Sequence, residues 1–225
     1  MKPSQNTQER RFIPSGLELR MEDGDDSKKK IRGYAAVFNK ESENLGSSEY
    51  QFREILLPGA FDDVLKDDVR ALFNHESSAI LARSKNGEGS LQIGVDATGL
   101  YYEFEAPDTQ VGRDLVTSLK RGDVDQSSFS FTVSKDGQKW EEKREGDGPT
   151  LITRTISKIA RLFDVSPVTY PAYPDATVAL RSLEEFREEE KPEPISEPPS
   201  VDYSIAHRQR ALDLIDKTAK TTQTK

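Results

Sequence analysis

The 225-residue chain has no cysteine. That excludes a disulfide framework and a thiolate metal site, and it fits a reducing compartment. Histidine is scarce, with only His75 and His207 present. Chemistry that needs an imidazole therefore has two places to find one, and His207 lies in a polar tail. No apolar run approaches the length of a membrane span, and the first residues lack the apolar region of a signal peptide. The expectation is a soluble, intracellular protein. Hydrophobic residues reach only 34% against 32% charged. That is too polar for the whole chain to pack as core, so disordered segments are expected. Positive charge is not in excess: formal net charge is -8 and the pI is near 5.0. Bulk electrostatics argue against a nucleic-acid partner.

Several motifs are also missing. There is no Gly-x-Ser-x-Gly elbow of an α/β-hydrolase and no Gly-Lys-Ser/Thr phosphate loop. His75-Glu76 is not followed by a second histidine four residues on, as a zinc-protease helix requires. Asp62-Asp63 and Asp67-Asp68 lack the glycine and the spacing of a calcium loop. Neither a metal nor a cofactor is expected.

What is present centres on Arg121 to Val133. Read with period two, Phe129, Phe131 and Val133 share one face of a strand, and Ser128, Ser130 and Thr132 share the other. The apolar face belongs in a core, and the hydroxyl face is expected toward solvent or a cleft. Ser127 points with Phe129 into the core, and Ser130 competes with Ser128 on the hydroxyl face. A serine becomes a nucleophile only with a base within hydrogen-bond reach, and His75 is the available base. Glu76, adjacent to it, faces apart and is a poor partner for the ring.

Along the chain, residues 1–15 are polar and expected disordered. Leu17, Leu19 and Met21 alternate as a strand, and Lys30 to Phe38 reads as a buried strand with apolar residues on both faces. Phe52 to Leu57 is a short strand. Ala60 to Lys66 is expected as a short helix presenting Phe61, Val64 and Leu65. Val69 to Asn74 is a strand that delivers His75 at its end. Leu91–Val95 and Leu100–Ala106 flank a turn as a hairpin. Val111, Leu115 and Leu119 line a helix capped by Asp108 or Thr109 and ended by Gly122. Asp136 to Gly148 reads as a polar loop carrying Trp140, and Ile152 to Val165 as one strand-like run. Residues 182–225 change character: a charge run, four prolines between Lys191 and Ser200, then a weakly amphipathic stretch from Asp202 to Ala219 using Ile205, Leu212, Ile215 and Ala219. The domain expected is 16–181, mainly β with two or three helices.

These stretches carry a resemblance. Gly33-Tyr34-Ala35-Ala36-Val37-Phe38, Glu54-Ile55-Leu56-Leu57-Pro58-Gly59-Ala60-Phe61 and Phe73-Asn74-His75-Glu76 come first. Gly99-Leu100, Gly112-Arg113-Asp114-Leu115 and Arg121-Gly122-Asp123 follow. Ser128-Phe129-Ser130-Phe131, Val165-Ser166-Pro167-Val168 and Pro171-Ala172-Tyr173 complete the order. In this order, over about residues 30 to 178, they resemble the prohead maturation proteases of tailed bacteriophages, relatives of the herpesvirus assemblins. The resemblance implies a mainly β (α+β) domain with a closed or partly closed β-barrel like that of assemblin. It also implies a cofactor-free serine endopeptidase. Position by position, His75 matches the family's catalytic histidine and Ser128 its nucleophile. Asp164 stands where family members often carry a glutamate, before the Val-Ser-x-Val segment, and would hold the imidazole. The implied substrates are the scaffold or the scaffolding segment of the major capsid protein, and the protease itself. The implied location is the assembling prohead in the host bacterial cytoplasm, and a homo-oligomer is among the expectations. The tail, a stiff linker ending in a short helix, is expected to direct incorporation by docking on a scaffold helix and then to be removed by the protease itself. The rival readings are a non-catalytic β-barrel capsid or tail component, and an assembly adaptor whose tail does the binding.

Overall fold

The fold is taken from a computed structural model, which describes residues 8–13, 17–22, 25–46, 50–144, 148–170 and 208–214. The chain divides into two units, Met1–Glu184 and Glu185–Lys225. In the second unit, residues 208–214 form a helical segment that is exposed throughout. Ile205, Ile215 and Ala219, expected on its apolar side, and the prolines before it lie outside the described residues. So do residues 171–181.

The first unit is mainly β. Its strands are β1 (Glu9–Ile13), β2 (Leu17–Glu22), β3 (Asp25–Val37), β4 (Tyr50–Leu56), β5 (Val69–Leu72), β6 (Ile80–Lys85), β7 (Glu88–Gly89), β8 (Leu91–Val95), β9 (Gly99–Glu105), β10 (Gln126–Val133), β11 (Gln138–Lys143), β12 (Thr150–Ile156) and β13 (Ile159–Val168). One helix, α1 (Gln110–Arg121), precedes β10. The strands form three sheets: β1-β10-β13-β5-β6-β7, β11-β12-β4 and β2-β3-β9-β8. Among the described residues, no ladder closes on itself into a barrel.

One core serves the unit. Ile31, Tyr102 and Phe104 come to it from the third sheet, Phe129, Phe131 and Leu162 from the first, and Leu115 and Val116 from α1. The helix forms as its residues dictate. Thr109 caps its start by accepting from the Gly112 amide, and Gly122 ends it at φ 76°, a left-handed conformation that glycine adopts without a Cβ clash. Gly122 then turns the chain straight into β10.

The structure departs from the sequence reading in several places. Residues 9–13, expected within a disordered N-terminal segment, form β1 on the edge of the first sheet. Residues 58–67 form successive turns instead of a helix. Their amides reach back three residues, as in Ala60 to Leu57 and Val64 to Phe61. Phe61 and Val64 are nevertheless buried as expected. Residues 80–85, given no element from sequence, form β6. The polar stretch around Trp140 is β11, because that ring stacks on Phe52 with centroids 5.4 Å apart and is thereby buried. The run from Ile152 to Val165 is two strands in two sheets, with Ser157 and Lys158 between them. Both amides there donate to the Gly137 carbonyl, and a Cβ on Gly137 would meet the Lys158 carbonyl at 2.3 Å. The close approach that separates β12 from β13 thus needs glycine.

Leu115 is the helix residue most deeply set in the core, at 1% exposure. Leu115→Ala is expected to destabilise the unit by about 2–5 kcal/mol through the cavity it leaves. Leu119→Ala, at a partly buried site, should cost clearly less. Urea denaturation of the two variants checks the ranking.

Candidate functional site

The site is built on the pairing of β10 with β13. These strands run antiparallel, with Ser128 opposite Ser166 and Ser130 opposite Asp164. Directly opposed residues share a face, so Ser128, Ser130, Asp164 and Ser166 form one polar row. A register shift follows, where Phe131 pairs with Leu162 and Phe163 is skipped. This bulge lets Asp164 face the serines while Leu162 stays in the core.

Next to β13 lies β5, parallel to it, with Asp164 opposite Arg70 and Val165 opposite Ala71. The chain leaves β5 and turns back over the polar row. Asn74 and His75 both take positive φ, 53° and 59°. Left-handed backbone at two consecutive non-glycine residues costs about 1–3 kcal/mol each and persists only where the surroundings fix it. Here they do. The Asn74 amide donates to the Pro167 carbonyl at 3.0 Å, and its Oδ1 accepts from the Thr169 amide at 2.9 Å. The loop is clipped to the end of β13, and the imidazole hangs over the row. His75 is therefore presented by a strained turn, beyond the strand end expected from sequence.

Three expected residues meet. His75 Nε2 lies 2.7 Å from Ser128 Oγ, and His75 Nδ1 lies 2.6 Å from Asp164 Oδ1. The side chains of His75 and Asp164 are only 4% and 7% exposed. With Asp164 ionised, Nδ1 donates to it, which leaves Nε2 to accept the serine proton. The aspartate spans the distance despite its shorter side chain. Ser166, to which sequence reasoning gave no role, donates to Asp164 Oδ1 at 2.8 Å and lies 3.3 Å from His75 Nδ1. It fixes the carboxylate that fixes the ring. Its signal in the sequence is its place two residues after Asp164, on the same face of the strand.

The competitors fall elsewhere. Ser130 accepts from Gln8 Nε2 at 2.5 Å. Ser127 bonds the Tyr102 hydroxyl at 2.8 Å inside the core, as its side of the strand predicts. Glu76 is exposed. The hydroxyl face is not open to solvent, however: Ser128 and Ser130 are fully buried, and Thr132 is 1% exposed. β1 contributes to this. It pairs with β10, setting Arg11 opposite Phe129 and Phe12 opposite Ser128, and Ser128 Oγ donates to the Arg11 carbonyl at 2.9 Å.

A second polar cluster, invisible in the sequence, holds β1 in place. Glu9 and Arg11 reach across to Glu54 on β4 and Arg154 on β12. Arg154 grips Glu9 with two nitrogens, at 2.7 and 2.9 Å, and bonds Glu54 Oε1 at 2.8 Å. Arg11 bonds Glu9 at 2.7 Å and Glu54 Oε1 at 2.9 Å, and its Nε makes a further contact to Glu54 Oε2. All four residues are buried. Burial pushes the Glu54 carboxyl up, but Arg11 and then Arg154 outweigh it and hold it at about 2. Buried guanidinium–carboxylate pairs are tolerated only when bonded this fully.

The family model for caudovirus prohead serine proteases matches residues 15–189. Among solved structures, the bacteriophage T4 capsid assembly protease gp21 is similar at a TM-score of 0.38 and 10% identity, covering 75% of this chain and 100% of that one. No curated protein matches the chain.

Two outcomes follow for the isolated protein. The proton between His75 Nδ1 and Asp164 should give a downfield imidazole resonance in proton NMR. It should vanish in Asp164→Asn and broaden or shift in Ser166→Ala; an unchanged resonance in Asp164→Asn would dissolve the pairing. The second outcome concerns acid. Glu54 titrates lower folded than its ordinary 4.5, so its stabilisation is complete above that value and is lost as pH falls toward about 2. Glu54→Gln should cost about 3–5 kcal/mol near neutrality by leaving two buried guanidinium groups with one carboxylate, Glu9, between them. It should also flatten the acid limb of the urea midpoint against pH.

Proposed function

The chain belongs to the caudovirus prohead serine protease family, and from that premise we propose that Ser128 is its nucleophile, His75 its general base and then acid, and Asp164 the carboxylate that orients the imidazole. The observation that carries this is the unbroken line from Ser128 Oγ through both ring nitrogens to Asp164 Oδ1, at 2.7 and 2.6 Å. His75 Nε2 takes the serine proton as Oγ attacks a peptide carbonyl carbon. Asp164 stabilises the imidazolium that results. The imidazolium returns the proton to the leaving amine, which departs and leaves an acyl group on Ser128. A water then repeats the sequence with His75 as base, freeing the acid and restoring the hydroxyl. No metal or cofactor takes part.

The substrates proposed are the scaffold, or the scaffolding segment of the major capsid protein, and the protease itself, inside proheads assembling in the host cytoplasm. The three sheets, wrapped on one shared core, suit the partly closed barrel expected of a relative of herpesvirus assemblin. Residues 182–225 are proposed to direct incorporation and then to be cleaved off by the protease. Leu212, 64% exposed in the helical segment, is available to a scaffold helix.

Co-expression with the capsid protein, followed by mass mapping of the products, tests the assignment. Ser128→Ala and His75→Ala should abolish processing and leave the fold intact. Ser130→Ala should retain most activity. Asp164→Asn should lower the rate by roughly 10⁴-fold, since the amide permits the wrong tautomer. An inactive Ser130→Ala beside an active Ser128→Ala would reassign the nucleophile. Deleting residues 191–225 should leave peptide cleavage intact and abolish incorporation into proheads. Normal copies of the truncated protein per prohead would end the docking role, and an intact tail in mature particles would end the self-removal.

A further inference from the structure

We propose that β1 sits in the groove where substrates bind, and that a substrate enters as a strand on the same edge of β10, with an acidic residue two positions before a basic one. The inference rests on Ser128 being the nucleophile. β1 is an end strand of its sheet, paired with β10 from Glu9 opposite Phe131 to Ile13 opposite Ser127. Without it, β10 would present a free edge running directly past Ser128. Such an edge binds extended peptide through main-chain hydrogen bonds and reads alternate side chains.

β1 also touches the nucleophile itself, through the Arg11 carbonyl oxygen. The hydroxyl has one proton. The Arg11 carbonyl, 2.9 Å from Ser128 Oγ, competes for it with His75 Nε2, 2.7 Å from the same oxygen. A backbone carbonyl of β1 therefore lies against the nucleophile and competes with the base for its proton, and the hydroxyl is fully buried. This is a bound but unreactive strand.

The side chains give the selectivity. Glu9 and Arg11, two apart, lie on the face opposite Ser128 and meet a carboxylate and a guanidinium that do not depend on them for position. Glu54 and Arg154 are opposed in the parallel pairing of β4 with β12, and they bond each other at 2.8 Å. With β1 gone, that pair remains beside the groove as a neutral couple with one cationic and one anionic end. Arg154 receives the acidic residue and Glu54 the basic one. The reverse order would set like charges against each other.

The absence of cysteine makes a clean test possible in the full-length protein. Arg10 and Ser130 are directly opposed across β1 and β10, so Arg10→Cys with Ser130→Cys ties β1 down on oxidation and frees it on reduction. Cleavage is read with two fluorogenic peptides, one carrying Glu-Arg-Arg-Phe and the other Arg-Arg-Glu-Phe. Oxidation should lower kcat/KM by about tenfold or more, reductant should restore it, and the unsubstituted protein should ignore both. The reversed peptide should be cut about tenfold less well. Equal rates in the tied and free forms overturn the occupancy, and equal rates on the two peptides overturn the selectivity. If the tied variant does not fold or bridge, Glu9→Ala with Arg11→Ala should raise cleavage about tenfold by releasing β1, and no rise overturns the proposal. Cleavage that requires Ser128 but ignores β1 sinks only the groove. Absence of Ser128-dependent cleavage in every form sinks the nucleophile assignment and the groove with it.

Discussion

A polar row inside a buried sheet must satisfy itself, and that requirement organises this protein. Ser128, Ser130, Asp164 and Ser166 lie on a face from which water is excluded, where an unbonded hydroxyl or carboxylate costs about 1–3 kcal/mol or more. Each has found a partner: an imidazole, a glutamine amide, a neighbouring hydroxyl or a backbone carbonyl. The His75 turn, the Phe163 bulge and the docking of β1 are the means. None is stable alone, since the turn is strained, the bulge interrupts a ladder, and β1 has only five residues. Held together they are mutually supporting, which is how a buried polar network comes to specify one arrangement.

Much of the site is legible in the amino-acid sequence. Period-two alternation sorts Ser127 from Ser128, scarcity of histidine points at His75, and the order of motifs points at Asp164. The helix before β10 is marked at both ends by Thr109 and Gly122, which have specific jobs in the backbone. These signals are local, or depend on counting, and a sequence displays both.

What is not legible depends on distant residues. The charged stretch Glu9-Arg10-Arg11 reads as a solvated tail because nothing nearby reveals that Glu54 and Arg154 wait for it in the core. Trp140 reads as part of a polar loop because its stacking partner, Phe52, is far off in sequence. The run from Ile152 to Val165 reads as one strand because the break at Ser157 and Lys158 is set by the approach of Gly137. The hydroxyl row is expected to face a cleft because alternation says which residues share a face but not what covers that face.

The separation in sequence of the bonded partners has a consequence for timing. Ser128 and His75 are 53 residues apart, His75 and Asp164 89, and Glu9 and Arg154 145. Contacts this non-local form slowly and late, and β13, which lies between β10 and β5 in the sheet, is the last of these strands to leave the ribosome. A nascent chain that has not yet released Asp164 has a serine and a histidine but no scaffold to join them. The buried polar row can therefore assemble only when nearly the whole core is out of the ribosome and closed.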